Sequence, residues 1–210
     1  SITKFRLGEL TMAEQYSMQA ENLMKSAVEE YSEVIKDVKA TDANLTIIRN
    51  IRVNIQGKPR RLVDVADLKK TDDVHKLQLL VFNTDHIELL TEQLDENGFA
   101  YEIDGQFINI TVPDPSYKQL MEVVDDLNRK KNSAMGRLTK AKSEATTRAR
   151  TAVENEFIAQ GVASAASRKC EEYYENYGSQ ISDLTMEKIE SILGKEYFEK
   201  YKTEELDLNI

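Results

Sequence analysis

Proline occurs at three positions only, Pro59, Pro113 and Pro115. All three lie within or at the edge of one middle stretch. Proline removes a backbone donor and clashes with the preceding helical turn, so it breaks helices. Residues 1–58 and 116–210 carry none, and both flanks are therefore open to long uninterrupted helices. Composition agrees: 31% charged against 40% hydrophobic residues suits long exposed helices better than a compact globule.

Each flank shows the helical period. In the first, Ala20, Leu23, Ala27, Tyr31, Val34 and Val38 step by three and four. After Pro115, Ser116 is the expected N-cap. A near-heptad stripe follows, Leu120, Val124, Leu127, Ala134, Leu138, Ala141, Ala145 and Ala152, with Lys131 interrupting it. The pattern predicts a helix from Ser116 to Ile158, about 64 Å long, with a turn at Gly161. A third helix carries Ala166, Cys170, Tyr173, Tyr177, Ile181 and Leu184 on one face. The tyrosines at 173, 174 and 177 read as core and boundary packing, and the acidic end as a solvated tail.

The middle has a different period. Residues 51–55 alternate apolar and polar before Gly57, and RLVDVADL alternates again. LQLLVF reads as a strand, and HIELLTEQLDENG as an amphipathic helix ending at Asn97-Gly98. FAYEIDGQFINITV reads as two strands turning at Asp104-Gly105. The predicted fold is α+β: a long antiparallel three-helix bundle, residues 1–40 plus 114–210, with an inserted small β/α/β module, residues 41–113. Two chain crossings at one place imply a hinge at Ala40, Thr41, Pro113 and Pro115.

The catalytic inventory is thin. His75 precedes a strand and His86 opens a helix, so the two histidines do not share a site. Cys170, the one cysteine, sits on an apolar stripe and reads as a buried structural thiol in a reducing compartment. No P-loop, GxGxxG, HExxH or EF-hand pattern occurs. The acids are scattered over helix surfaces. The reading is a non-enzyme with no catalytic residue, metal, cofactor or small-molecule substrate. No apolar run reaches the roughly 18 residues of a membrane helix, and no secretory signal follows Ser1.

One segment stands out. Residues 129–150, RKKNSAMGRLTKAKSEATTRAR, hold eight basic side chains and one acid in a chain of net charge −9. Arg129, Lys130, Lys131, Arg137, Lys140, Lys142, Arg148 and Arg150 lie on one helix. At 100° per residue, Lys130, Arg137 and Lys140 fall to one side. The plain reading is a solvated face paired to acids of neighbouring helices, as in a helical interaction scaffold that binds no RNA. The sharper one is a phosphate-binding face, because so dense a cluster concentrates anions even on an acidic protein. The segment has no interleaved aromatics, so base stacking is not indicated.

The order of parts resembles the ribosome recycling factor family, and local motifs carry the resemblance from about Met24 to Lys200. MKSAVEEYSEVIKDVKA is similar to the family's first helix running into its hinge. NIRVNIQGKPRRLVDVADL, with Gly57, Pro59, Leu62 and Ala66 in step, resembles its strand, turn and following segment. LQLLVFNTDHIELLTEQLDENGFAYE and GQFINITVPDPSYKQL resemble the strand–helix segment and the proline-bounded return into helix two.

The resemblance implies a factor without catalytic residues. It would act as wedge and lever between ribosomal subunits after termination, with an elongation factor G-type translocase as partner. It would bind large-subunit ribosomal RNA through Lys39, Arg129, Lys130, Lys131, Arg137, Lys140, Lys142 and Arg148. The family's "IRTGRA" is VKATDA here, with Lys39 for the first arginine and Asp42 for the second. Its "RNIRR" is GRLTK, with Gly136 and Thr139 at arginine positions. These departures imply a divergent member. One form is a mitochondrial or other organellar factor whose presequence lies outside this chain; the alternative is a cytoplasmic bacterial one. They also keep open a homologue that works in large-subunit assembly.

Overall fold

The computed structural model describes the backbone of residues 2–208 and the side chains of residues 12–208. The elements are α1 (Ile2–Ile35), α2 (Asp42–Arg49), β1 (Arg52–Ile55), β2 (Lys58–Arg61), α3 (Leu62–Val65), β3 (Ala66–Lys70), β4 (Lys76–Val81), α4 (Ile87–Glu96), β5 (Ala100–Asp104), β6 (Phe107–Thr111), α5 (Tyr117–Glu154) and α6 (Gln160–Leu208). The fold is α+β. Two compact units form: Ser1–Val38 with Asp125–Ile189, and Lys39–Val124 with Glu190–Ile210.

The first unit is a three-helix bundle. Ala13 clusters with Ala149 and Ala152 of α5 and with Val162, Ala163 and Ala166 of α6. Farther along, Glu30 meets Arg137, and Tyr31 meets Thr185. So α1 runs antiparallel to α5 and parallel to α6. Thr185 spends its hydroxyl proton on the Ile181 carbonyl at 2.7 Å, so the Tyr31 hydroxyl donates to Thr185 Oγ1. Lys188 Nζ donates to the carbonyls of Lys36 and Val38, satisfying acceptors just past the end of α1.

The stripe on α1 differs from the sequence reading at two positions. Leu23 and Val34 are 49% and 55% exposed, while Met24 and Ile35 are buried. Each pair holds two apolar neighbours, and stepping by three or by four fits the period equally well. Packing decides between them.

Ser116 caps α5 as the sequence predicts. Its Oγ accepts from the Gln119 amide at 3.2 Å, and Gln119 Oε1 accepts from the Ser116 amide at 2.9 Å, a reciprocal capping box. The far end differs from the sequence expectation. The helix stops at Glu154, not Ile158. Glu156 takes the left-handed conformation, φ 63°. The Phe157 amide bonds the Ala152 carbonyl and the Glu156 amide bonds the Val153 carbonyl. That is a Schellman closure on a residue that is not glycine. Gly161 lies inside α6 instead. Gly194, at φ 75° and ψ 169°, interrupts α6.

In the second unit β3, β4, β6 and β5 form an antiparallel sheet in that order, and β1 pairs with β2. Gln56 and Gly57 both have positive φ, as the two-residue turn between β1 and β2 requires. Leu77, Leu79, Val81, Ile108 and Ile110 from alternate sheet positions pack with Leu90 and Leu94 of α4. Two local readings change. Residues 62–65 of RLVDVADL form one helical turn, whose Asp64 carboxylate accepts the Arg61 amide at 3.2 Å. VKATDANLTIIRN contains a helix, α2, that the sequence reading lacked. Its Leu45 and Ile48 join the core. Near its start the Thr41 hydroxyl donates to Val74, and the Asn44 amide to Pro113.

Candidate nucleic-acid interface

The basic residues of α5 divide between two faces. Lys130, Arg137 and Lys140 stand on the side toward α1, as helical spacing predicts. Lys130, Arg137 and Ser133 line a shallow cleft of about 130 Å³ with Glu30, Tyr31 and Val34. Arg137, Lys140 and Glu144 line a second, of about 240 Å³, with Leu23. The exposed Leu23 and Val34 thus form apolar patches beneath a row of cations.

Every cation of this row has an acid. Arg137 donates to Glu30 across to α1, and Lys140 lies 3.9 Å from Glu144. Arg129 and Lys130 share Asp126 at 3.5 and 3.2 Å. The Lys130 hydrogen bond, helped by the charges of both cations, holds the Asp126 carboxyl below its ordinary value. Such exposed pairs are worth about 0–1 kcal/mol each.

Lys142 and Arg148 turn toward α6 instead. Lys142 pairs with Glu171 at 3.0 Å and lies 4.2 Å over the Tyr174 ring. Arg148 is half-buried, and its Nε and Nη2 are enclosed without a hydrogen bond to a described residue. Both cations act on the buried thiol of Cys170. Burial pushes that thiol up, and their charges partly offset the push. Lys131 is half-buried and breaks the apolar stripe. Lys39 belongs to the other unit, where its amide donates to Asp42 Oδ2 at 3.2 Å.

Asp42 and Thr139 are occupied by local structure. The Asp42 carboxylate also pairs with Lys70 Nζ at 2.8 Å, fastening the start of α2 to β3. Thr139 donates to the Met135 carbonyl, and its hydroxyl lies 3.5 Å from that of Tyr174. Gly136 is exposed, and a Cβ there would meet nothing within 4 Å.

Sequence reasoning missed a third cleft, of about 540 Å³, between α5 and α6. Arg150 and Arg168 line it. Arg150 belongs to the basic segment, but Arg168 lies on a different helix, and no spacing rule links them. Among the described residues no helix is long and apolar enough to cross a membrane, and no group of three His, Cys, Asp or Glu could hold a metal.

The sequence matches the family described as Ribosome recycling factor over residues 16–193. It is 19% identical over 170 residues to the Ribosome-recycling factor of Chlamydia caviae, across 80% of this chain and 92% of that one. To the Ribosome-recycling factor of Petrotoga mobilis it is 21% identical over 111 residues, across 52% of this chain and 59% of the other. Its fold is similar to a solution structure of the ribosome recycling factor, with a TM-score of 0.50 and 20% identity over 87% of this chain and 98% of that chain. With the family matched across most of its length and the fold in agreement, this chain belongs to the ribosome recycling factor family.

Proposed function

We propose that this chain binds large-subunit ribosomal RNA and promotes ribosome disassembly after termination, together with an elongation factor G-type translocase. The observation that carries the reading is the family match over residues 16–193, which takes in the whole basic segment of α5. Lys130, Arg137 and Lys140 make the main phosphate contacts, flanked by Arg129. Lys142, Lys131 and Arg148 contribute from elsewhere on α5, and Lys39 contributes from the other unit. A lever needs a pivot, and we place it at the crossings Ala40–Thr41 and Pro113–Pro115.

The test is binding to purified bacterial large subunits as salt is varied. Exchanging Arg137→Gln and Lys140→Gln should weaken binding by about tenfold or more per lost contact. The steepness of the salt dependence should drop by about one ion per contact. Binding that is unchanged and insensitive to salt would favour a scaffold that uses its basic stripe only for its own acids.

A second reading has its own observation. Where the family carries arginines, Asp42 is committed to Lys70, Thr139 to Met135, and Gly136 offers no side chain. Those positions supply no cation. This favours a relative that binds the large subunit without splitting ribosomes, as in subunit assembly. A splitting assay with translocase and GTP separates the two.

A further inference from the structure

We propose that the cleft between α5 and α6 is a second phosphate site, built for the backbone of a nucleic acid. The proposal deepens the RNA-binding reading and rests on residues outside the row described above.

The walls come from one face of each helix. Thr146 and Arg150 stand one turn apart on α5, while Gln160, Ser164, Ser167 and Arg168 follow the same period on α6. Two guanidinium forks and the hydroxyls of Ser164 and Ser167 thus share one space, while the Thr146 hydroxyl is spent on the carbonyls of Lys142 and Ser143 and the Gln160 amide on Ser164. Phosphate, with several acceptor oxygens, fits such donors better than a carboxylate does.

Charge sets this cleft apart from the other two. Those contain Glu30 and Glu144, which already hold Arg137 and Lys140. Here no described carboxylate lines the space. Both arginines are exposed, and neither guanidinium pairs with a described residue. The cleft keeps its positive charge while the row on the α1 side is internally balanced.

The shape favours a chain over a small free anion. The cleft is larger than either of the others. With both arginines exposed, it does not enclose a lone ion against competing salt. Lys142, Thr146 and Arg150 recur every fourth residue on the face of α5 that meets α6. A strand held at Arg150 and Arg168 reaches Lys142 along that face once it displaces Glu171, and neighbouring contacts raise the effective concentration of each phosphate.

The experiment is a magnetic-resonance titration of the isotope-labelled full chain with single-stranded oligouridylate, with inorganic phosphate in a parallel arm. The side-chain Nε–H signals of Arg150 and Arg168 and the amides of Ser164 and Ser167 should shift saturably. Exchanging Arg150→Gln and Arg168→Gln should weaken that response about tenfold. Exchanging Arg137→Gln and Lys140→Gln should leave it in place, and the spectra themselves report folding. Absence of saturable shifts at these residues would overturn the proposal. So would shifts that survive both arginine exchanges, or saturation by inorganic phosphate below the phosphate concentration at which oligouridylate saturates. Loss of ribosomal-subunit binding by the Arg137 and Lys140 variant bears on the proposed function alone, because the cleft is read by its own signals.

Discussion

Gly136 shows what a single residue decides here. It lies mid-helix on an exposed face, where nothing crowds the missing Cβ. Its backbone is helical, so glycine brings only its entropic cost, about 1 kcal/mol against alanine. Gly136→Ala should raise the stability of the chain by about that amount, measured by denaturant midpoint, and leave α5 unbroken; a lower midpoint would mean the site is not the open helix position described. Glu156 presents the reverse case. It holds a left-handed conformation that a glycine usually takes, so no residue type in the sequence marked the turn. Leu23 and Met24 posed a third kind of ambiguity, settled by packing that no local pattern encodes.

At the scale of elements, the segment linking β6 to α5 is tied back to the loop before β4. The Val112 amide donates to the His75 carbonyl, and the His75 ring bonds Asp114 with Asp73 at 3.6 Å on its other side. The Asp114 hydrogen bond, aided by the charges of both aspartates, raises the His75 pKa above its ordinary value of 6.5. The sign follows directly. A raised folded-state value means the contact contributes fully below the unfolded value and fades as pH rises through the folded one. His75 should therefore titrate above 6.5 by magnetic resonance, and Asp114→Asn should move its midpoint down. An unmoved midpoint would show that the pair does not form in solution.

Strand and helix periods elsewhere were readable where one face is buried, and β5, which has no buried residue, was marked by the turn at Asp104-Gly105 instead. That held for the strand read at 77–82, which runs Lys76–Val81, for the helix ending at Asn97-Gly98 and for the hairpin near Gly105. It failed for α2 and α3, which are short. One or two turns carry too few residues to show a period, and their cores are supplied by distant strands. The Ser116 cap was legible because a capping box is local. The cleft at Arg150 and Arg168 was not, because its two walls meet only after the bundle closes.

For the whole molecule, net charge and charge placement point opposite ways. The chain carries −9 overall with a sequence pI near 4.9, yet eight of its 28 lysines and arginines crowd into residues 129–150 with one acid. Local field rather than net charge governs contact with a polyanion. The chain should therefore be retained on immobilised heparin at low salt, where its pI alone would send it through. Exchanging Arg137, Lys140 and Arg150 for glutamine together should release it at lower salt. Passage of the unaltered chain in the flow-through would show that its acids neutralise the segment.

The ion pairs along α5 give this surface the character of an ion exchanger. Arg137, Lys140, Arg129 and Lys130 arrive already loaded with tethered carboxylates. A solitary anion must evict a counter-charge that cannot diffuse away, and it gains one contact for doing so. Under the proposed function, a folded RNA, with many phosphates at fixed spacing, would evict several carboxylates in one event. Selectivity would then follow how densely the incoming charge is packed, and dilute free phosphate would leave this surface in its resting form.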